Sequence, residues 1–207
     1  MGIRSGVLTF RRYRVVGDLP DQLHSTFLEE ISSRVHREID LGGDQERSFG
    51  WTSPEDLLEP TIVHDQIFLA DMLSLTFRVD TLRIPGDAMK IYVRRAEQER
   101  AAKLGKEKLS RTERDEVKFD VQRELRRRVL PSVKGYDFVW NLSTGVARFW
   151  TQNKTVCGLF EDFFRDTFGL RLVPRTPYTA IAEIGMDDAA LERVLELDPA
   201  DFVGVGE

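Results

Sequence analysis

The residues of this chain that could do chemistry are clustered lysines and arginines. Positions 90–134 hold 15 basic and 8 acidic residues, whereas the whole 207-residue chain holds 30 basic and 35 acidic residues. Clustered cations bind phosphates and release counterions, so this window predicts a surface for nucleic acid. The candidate contact residues are Lys103, Lys106, Lys108, Arg111, Arg114, Lys118, Arg123, Arg126, Arg127 and Arg128.

A second interpretation of the same window is a solvated helix without a ligand. Arg111 and Asp115, like Glu124 and Arg128, have the i, i+4 spacing of helical ion pairs. At about 100° per residue, the basic side chains do not form one clean stripe. A smaller basic set precedes the window, and in a strand its members Arg12 and Arg14 would share the face opposite Arg11.

The carboxylates give little support for metal-dependent catalysis. Glu116 and Lys118 have the Glu-x-Lys spacing of some nucleases, but on a helix two residues at this spacing point apart. Helix capping or surface charge explains the other carboxylates more simply. These others are Glu161, Asp162, Asp166, Asp187 and Asp188. We therefore predict a protein that is not an enzyme and uses no cofactor, with a metal-dependent nuclease as the less favoured alternative.

The histidines and the single cysteine predict neither a zinc site nor a nucleophile. His24, His36 and His64 are scattered along the chain and have no cysteine near them. Cys157 allows no internal disulfide, which fits a reducing compartment. The sequence also lacks the glycine fingerprints of phosphate and dinucleotide loops and a Gly-x-Ser-x-Gly nucleophile motif.

The pattern around the basic window predicts a helical hairpin. A helix over 85–104 would end at Gly105, a residue type that caps helix C-termini. Ser110 and Glu113 have the spacing of a capping box, so a second helix begins there and ends before Pro131. Apolar residues recur every four positions on this second helix, at Val117, Val121, Leu125 and Val129.

The rest of the sequence predicts an α+β body with antiparallel sheets and packed helices. Positions 1–84 and 132–207 form this body, and 85–131 form the projecting hairpin. A first helix carries Leu23, Phe27, Ile31 and Val35 and ends at 41–44, and two later helices cover 156–168 and 187–197. Strands are expected over 7–16, 67–70, 73–84, 136–142, 146–151, 170–173 and 178–182.

The alternation of apolar and polar residues, together with the positions of the tryptophans, predicts which side chains the body buries. The strand over 73–84 alternates apolar and polar residues, which indicates one buried and one exposed face. Trp140 and Trp150 fall in apolar strands and are expected in the core. Trp51 follows a glycine in an expected loop, so it stays a candidate for stacking on nucleic-acid bases.

Several of these features resemble, in order, the RdgC family of recombination-associated proteins. Residues 50–54 (Gly-Trp-Thr-Ser-Pro) resemble its Gly-Trp turn, and residues 82–85 its strand end before a helical pair. Residues 97–130 resemble its charged helices, 138–140 (Phe-Val-Trp) its tryptophan hairpin, and 160–174 its closing helix, glycine and strand. The similarity extends over roughly residues 5–185, and the ordered set carries it rather than any single motif.

The resemblance implies a homodimer that binds double-stranded DNA without sequence preference. It also implies a cytoplasmic, nucleoid-associated protein that limits recombination by a RecA-type recombinase without catalysis. The dimer of this family is ring-shaped, and family members are longer at the C-terminal end. Whether this chain closes such a ring is therefore left undecided. The alternative is a protein–protein interaction module that does not bind DNA. No apolar run is long enough to span a membrane, so no membrane partner is expected.

Overall fold

One antiparallel sheet organises the chain, as the α+β prediction requires. The computed structural model describes residues 9–185 and 187–197. Its strands are β1 (Arg11–Val16), β2 (Arg47–Thr52), β3 (Phe68–Leu69), β4 (Met72–Thr81), β5 (Ser132–Asn141), β6 (Val146–Phe149) and β7 (Arg171–Pro174). They lie in the order β2-β4-β5-β6-β1-β7, and β3 pairs with the beginning of β4. The predicted β5–β6 hairpin is confirmed.

Seven helices accompany the sheet in the described ranges. They are α1 (Leu23–Ser33), α2 (His64–Ile67), α3 (Gly86–Leu104), α4 (Arg111–Arg126), α5 (Lys154–Phe168), α6 (Pro177–Ile184) and α7 (Asp188–Leu195). Gly105 and Gly169 end α3 and α5 in the left-handed conformation, with φ of 61° and 67°. Asp187 caps α7 as predicted, because its side chain accepts a hydrogen bond from the Ala190 amide. None of the helices described is long and apolar enough to cross a bilayer.

The main core lies between the sheet and helices α1 and α5. Aromatic residues at four-residue spacing on α5 present Phe160, Phe164 and Phe168 to the sheet, and all three are buried. The Phe160 ring stacks on Phe149 of β6, with centroids 3.8 Å apart. Such large rings dominate core energetics, so this helix holds the sheet in place.

The helical hairpin is an insertion between two paired strands. Helices α3 and α4 lie between β4 and β5 in the chain, yet these strands pair with each other along their length, from Thr81–Ser132 to Met72–Asn141. Leu109, Val117, Val121 and Leu125 are buried in a small separate core between the two helices. Helix α3 has no buried residue of its own. The two predicted helices are therefore present as a pair with its base at one end of the sheet, but α4 ends at Arg126 and does not include Val129.

The polar face of β4 is not exposed, contrary to the prediction from its alternation. Thr76, Arg78 and Asp80 are all buried. Arg78 forms a two-point contact with Asp80 at 2.9 and 2.7 Å and donates a third hydrogen bond to the Leu57 carbonyl. The Leu57 side chain also lies over Gly135 of β5, where an added Cβ would come within 2.7 Å of it. The segment that carries Leu57 thus covers this face of the sheet around Arg78 and Gly135.

Trp51 lies in strand β2 and not in a loop. Its side chain is 0% exposed, and its indole Nε1 donates to Thr167 Oγ1 at 3.1 Å, so it cannot stack on a base. The preceding Gly50 allows close backbone approach, because an added Cβ would lie 2.5 Å from backbone atoms of His36. Val35 forms an isolated parallel bridge with Trp51. Helix α1 consequently ends at Ser33, and the prediction that it continues to 41–44 is wrong.

Residues 178–182 belong to helix α6, so the strand predicted there is wrong. Pro177 occupies the first helical position, where its missing N–H costs nothing. Thr176 precedes it, and its hydroxyl accepts a hydrogen bond from the Thr179 amide. These local capping signals outweigh the short apolar run that suggested a strand. Trp140 and Trp150 are buried, as predicted.

Candidate nucleic-acid interface

The tip of the hairpin is built by capping interactions. Ser110 Oγ accepts from the Glu113 amide, and Glu113 Oε2 accepts from the Ser110 amide at 2.8 Å, which completes the predicted capping box. Lys106 reaches across the turn to Glu113 Oε1 at 2.5 Å. This contact with Lys106, together with the bonds from Ser110, lowers the pKa of Glu113 to about 2. Lys106 is therefore held by its own hairpin.

One side of the hairpin carries two ion pairs, and we call it the paired side. Arg95 contacts Glu99 at 3.0 Å within α3, and Arg128 contacts Glu124 at the end of α4. These four residues line one common surface with Tyr92, Ala96 and Val121. At about 100° per residue, Glu113 points to the same side of α4 as Glu124. Arg95 and Arg128 therefore already have anionic partners.

The opposite side carries cations without such partners, and we call it the open basic side. Arg94 of α3 and Arg114 of α4 line one groove there, with Lys108 at its tip end. A second groove nearer the base includes Lys118. Arg111, Arg114 and Lys118 are spaced three and four apart, so they follow one side of α4.

The cations of the open basic side are available to a ligand. All five are exposed, and in the described part of the chain none forms an ion pair. Glu97 and Glu107 also line the groove that contains Arg94 and Arg114. Cations therefore outnumber anions on this surface, but they are not its only charged groups. The five residues are Arg94, Lys108, Arg111, Arg114 and Lys118.

The structure divides the ten predicted contact residues into groups. Four of them lie on the open basic side, whereas Lys106 and Arg128 are ion-paired. Lys103, Arg123 and Arg127 are exposed elsewhere on the hairpin. Sequence reasoning missed Arg94, although pairing the two helical wheels as an antiparallel hairpin would have placed it beside Arg114.

Arg126 is a structural residue rather than a surface cation. Its side chain is buried, with 4% exposed, and Nη2 donates to the Gln45 carbonyl at 2.7 Å. Its Nε is buried without a hydrogen-bond partner among the described residues. In this position Arg126 anchors the base of the hairpin to the body and cannot reach a phosphate.

A second basic surface lies on the sheet. Arg12 of β1 and Arg148 of β6 are directly opposite each other, so two like charges share one face. Arg14 lies on the same face two residues along β1. As predicted, Arg11 points the other way, where it lies 3.5 Å from Glu161. The buried Tyr13 phenol also donates to Glu161, at 2.8 Å.

Several of the carboxylates considered for a nuclease have other roles. Glu161 bonds to Tyr13, and Asp162 and Asp166 contact Arg165 at 3.0 and 3.7 Å. Within the ranges that the structure describes, no group of three or more histidine, cysteine, aspartate or glutamate residues could hold a metal ion.

The histidines are not all scattered, which corrects the expectation from the sequence. His24 Nδ1 and His64 Nε2 lie 3.4 Å apart, although 40 residues separate them in the chain. His36 belongs to a different site, where it is buried beside Asp80.

Comparison with protein-family models found no match to this chain, and comparison with curated proteins found no similar sequence. The resemblance to the RdgC family therefore stays a prediction from the ordered sequence features.

Proposed function

We propose that this protein binds double-stranded DNA through the phosphate backbone and without sequence preference. The observation that carries the proposal is the division of the hairpin into two sides. Acidic neighbours pair with Arg95 and Arg128 on one side, whereas Arg94, Lys108, Arg111, Arg114 and Lys118 present unpaired charge on the other. Phosphates would supply the missing anionic partners and release condensed counterions.

The shape of the hairpin suits contact with a backbone rather than with base edges. Helix α3 has 19 residues, so at about 1.5 Å per residue it is roughly 28 Å long. Cations spread along such a length can follow several phosphates of one duplex. Phosphate contacts position a protein on DNA but read no sequence. The chain carries a net charge of −5, so the remaining surface disfavours other orientations on the duplex.

The biological role that fits this proposal is RdgC-like modulation of recombination. A nucleoid-associated homodimer that covers duplex DNA would limit a RecA-type recombinase indirectly, by competing for the same substrate. No catalytic step is part of this role.

Neutralisation of the open basic side tests the proposal. The variant R114Q/K118Q removes two unpaired cations, and R95Q/R128Q removes two cations of the paired side, so both variants lose the same formal charge. We expect R114Q/K118Q to weaken duplex binding and to lower the slope of log affinity against log salt by about 1.8. Fluorescence anisotropy with duplexes of unrelated sequence, over a range of salt concentrations, measures both quantities.

The control variant decides whether the site or only the net charge matters. R95Q/R128Q should retain most of the wild-type affinity because its cations are already engaged with Glu99 and Glu124. Equal loss in the two variants would show that binding depends on overall charge. No measurable duplex binding by the wild-type protein at low salt would reject DNA as the ligand.

A protein–protein role for the hairpin is the second candidate, and exposed apolar residues favour it. Ile91 on α3 is 67% exposed, and Phe119 on α4 is 58% exposed. Large apolar side chains on outward helix surfaces fit a partner protein better than a phosphate backbone. In this case I91S/F119S should reduce self-association in sedimentation experiments, whereas R114Q/K118Q should not.

A further inference from the structure

His24 and His64 form a surface pair that the DNA-binding proposal does not use. His24 lies in the first turn of α1, and His64 is the first residue of α2. His24 Nδ1 and His64 Nε2 face each other at 3.4 Å. The His64 side chain is 43% exposed, so ions from solvent can reach the pair.

A neighbouring carboxylate determines which nitrogen of His64 is free. Asp65 Oδ1 lies 2.8 Å from His64 Nδ1. An ionised carboxylate only accepts hydrogen bonds, so Nδ1 of the neutral ring carries the proton and Nε2 keeps its lone pair. That lone pair points toward His24. A carboxylate behind a histidine in this way is the usual outer partner of a metal-binding imidazole.

The separation of the two nitrogens fits coordination to one ion. At 3.4 Å the contact between the two ring nitrogens is a long hydrogen bond. Two ligands at about 2.0–2.1 Å from a tetrahedral metal lie roughly 3.3–3.4 Å apart. The two nitrogens are therefore already as far apart as two ligands of one metal ion.

Packing holds both rings in this arrangement. The ring of Phe68 in β3 stacks on His24 with centroids 4.4 Å apart and an interplanar angle of 16°. It also contacts His64 at 4.9 Å. Phe68 is itself buried and pairs with Leu73 of β4. Two ligand rings that are already held by packing lose little conformational freedom when they bind an ion.

We propose that His24 and His64 bind a divalent transition ion of the class that prefers imidazole, namely Zn²⁺, Cu²⁺ or Ni²⁺. Two nitrogen ligands favour these ions over Mg²⁺ and Ca²⁺, which prefer oxygen. Water completes the coordination, and Asp65 orients the His64 ring from behind. Binding would link α1 to the segment that carries α2 and β3.

Titration of the full-length protein with Zn²⁺ tests this site. The ring ¹⁵N signals of His24 and His64 should shift on coordination, whereas those of the buried His36 should not, which makes His36 an internal control. In calorimetry, H24Q and H64Q should each abolish the Zn²⁺ binding event. D65N keeps both ligand rings and should weaken binding about 10- to 100-fold.

The outcomes separate a metal site from a simple contact between two rings. Unchanged ring signals at millimolar Zn²⁺, or wild-type affinity in a folded H24Q or H64Q variant, would overturn the proposal. Far-UV circular dichroism checks the fold of each variant. If both histidine variants unfold, the Zn²⁺ affinity of D65N tests the site instead, because this variant leaves the packing on Phe68 intact. Duplex binding should be the same in D65N and wild type, so this test is independent of the proposed function.

Discussion

Arg126 and Arg127 show that a shift of one position along a helix can change the role of a residue. The two residues have the same chemistry, and as the last residue of α4 and its C-cap they differ by about 100° in direction. Arg126 is buried and bonded to the Gln45 carbonyl, whereas Arg127 is exposed. The first therefore supports the fold, and only the second is free to respond to a ligand.

We expect R126A to lower the free energy of unfolding by about 1–3 kcal/mol. It removes a charged hydrogen bond and the packing of a buried aliphatic stem. The matched variant R127A should change stability by no more than about 0.5 kcal/mol. Urea unfolding of the two variants measures the difference, and equal stability would contradict the structural role of Arg126.

His36 is a buried histidine whose environment opposes its charge. Burial lowers its pKa, Asp80 acts in the opposite direction and Arg78 lowers the pKa further. The His36 Nε2 lies 3.4 Å from Asp80 Oδ2 but forms no hydrogen bond to any residue that the structure describes. The neutral ring is thus the form that suits this site.

Stability should therefore fall as the pH decreases below about 6.5, the ordinary pKa of histidine. In that range the unfolded chain takes up a proton at His36 before the folded protein does, so protons favour unfolding, with a slope of at most about 1.4 kcal/mol per pH unit. Above this pH both states are neutral and His36 adds no pH dependence. Urea unfolding of H36Q and wild type between pH 5 and 8 measures the contribution. The same slope in both proteins would contradict it.

At the scale of elements, the hairpin depends on its tip. Its only extensive core consists of four residues that are less than 10% exposed, and α3 has none. The turn between the helices is held by Gly105, by the reciprocal bonds of Ser110 and Glu113, and by Leu109, which is buried in this core. The cations of the open basic side sit on helices whose alignment this cap supports.

We expect S110A to weaken the hairpin without affecting the sheet. Loss of a serine cap typically costs about 0.5–2 kcal/mol, and here it also removes one partner of Glu113. Hydrogen exchange should accelerate for amides in the first turn of α4, while amides of β4 and β5 keep their protection. T112A, an exposed change in the same turn, is the control. Unchanged exchange in S110A would show that the cap does not limit opening of the hairpin.

At the scale of the whole molecule, the hairpin and the sheet have separate cores. Thr81 and Ser132 are cross-strand neighbours, so the chain leaves and re-enters the sheet at adjacent points. The main core contains no residue of α3 or α4. Arg126 and its bond to Gln45 tie the base of the hairpin to the body.

A variant in which Asn-Gly replaces residues 82–131 should therefore fold. The dipeptide is the preferred sequence for a two-residue β-hairpin turn, which the Thr81–Ser132 pair requires. We expect cooperative thermal unfolding of this variant and the loss of duplex binding. A molten or aggregated product would contradict an independent body. Wild-type affinity in the folded variant would instead reject the hairpin as the DNA site.

The features that could be predicted from the sequence are those that depend on near neighbours in the chain. Gly105 ends a helix because it adopts a left-handed conformation easily, and Ser110 and Glu113 form their box within a single turn. The β5–β6 hairpin follows from two short apolar strands around a turn that ends in Gly145, whose φ is 67°. In each case the interacting groups are only a few residues apart.

Contacts between distant residues decided the rest. Trp51 is buried because Thr167, 116 residues away, and the aromatic rings of α5 surround it. A hydrogen bond to Gln45, 81 residues away, keeps Arg126 away from the binding surface. The open basic side and the paired side of the hairpin form only when α3 packs on α4. Periodicity assigns a side chain to a face, but only the partner that covers this face determines whether it is core, anchor or ligand-binding surface.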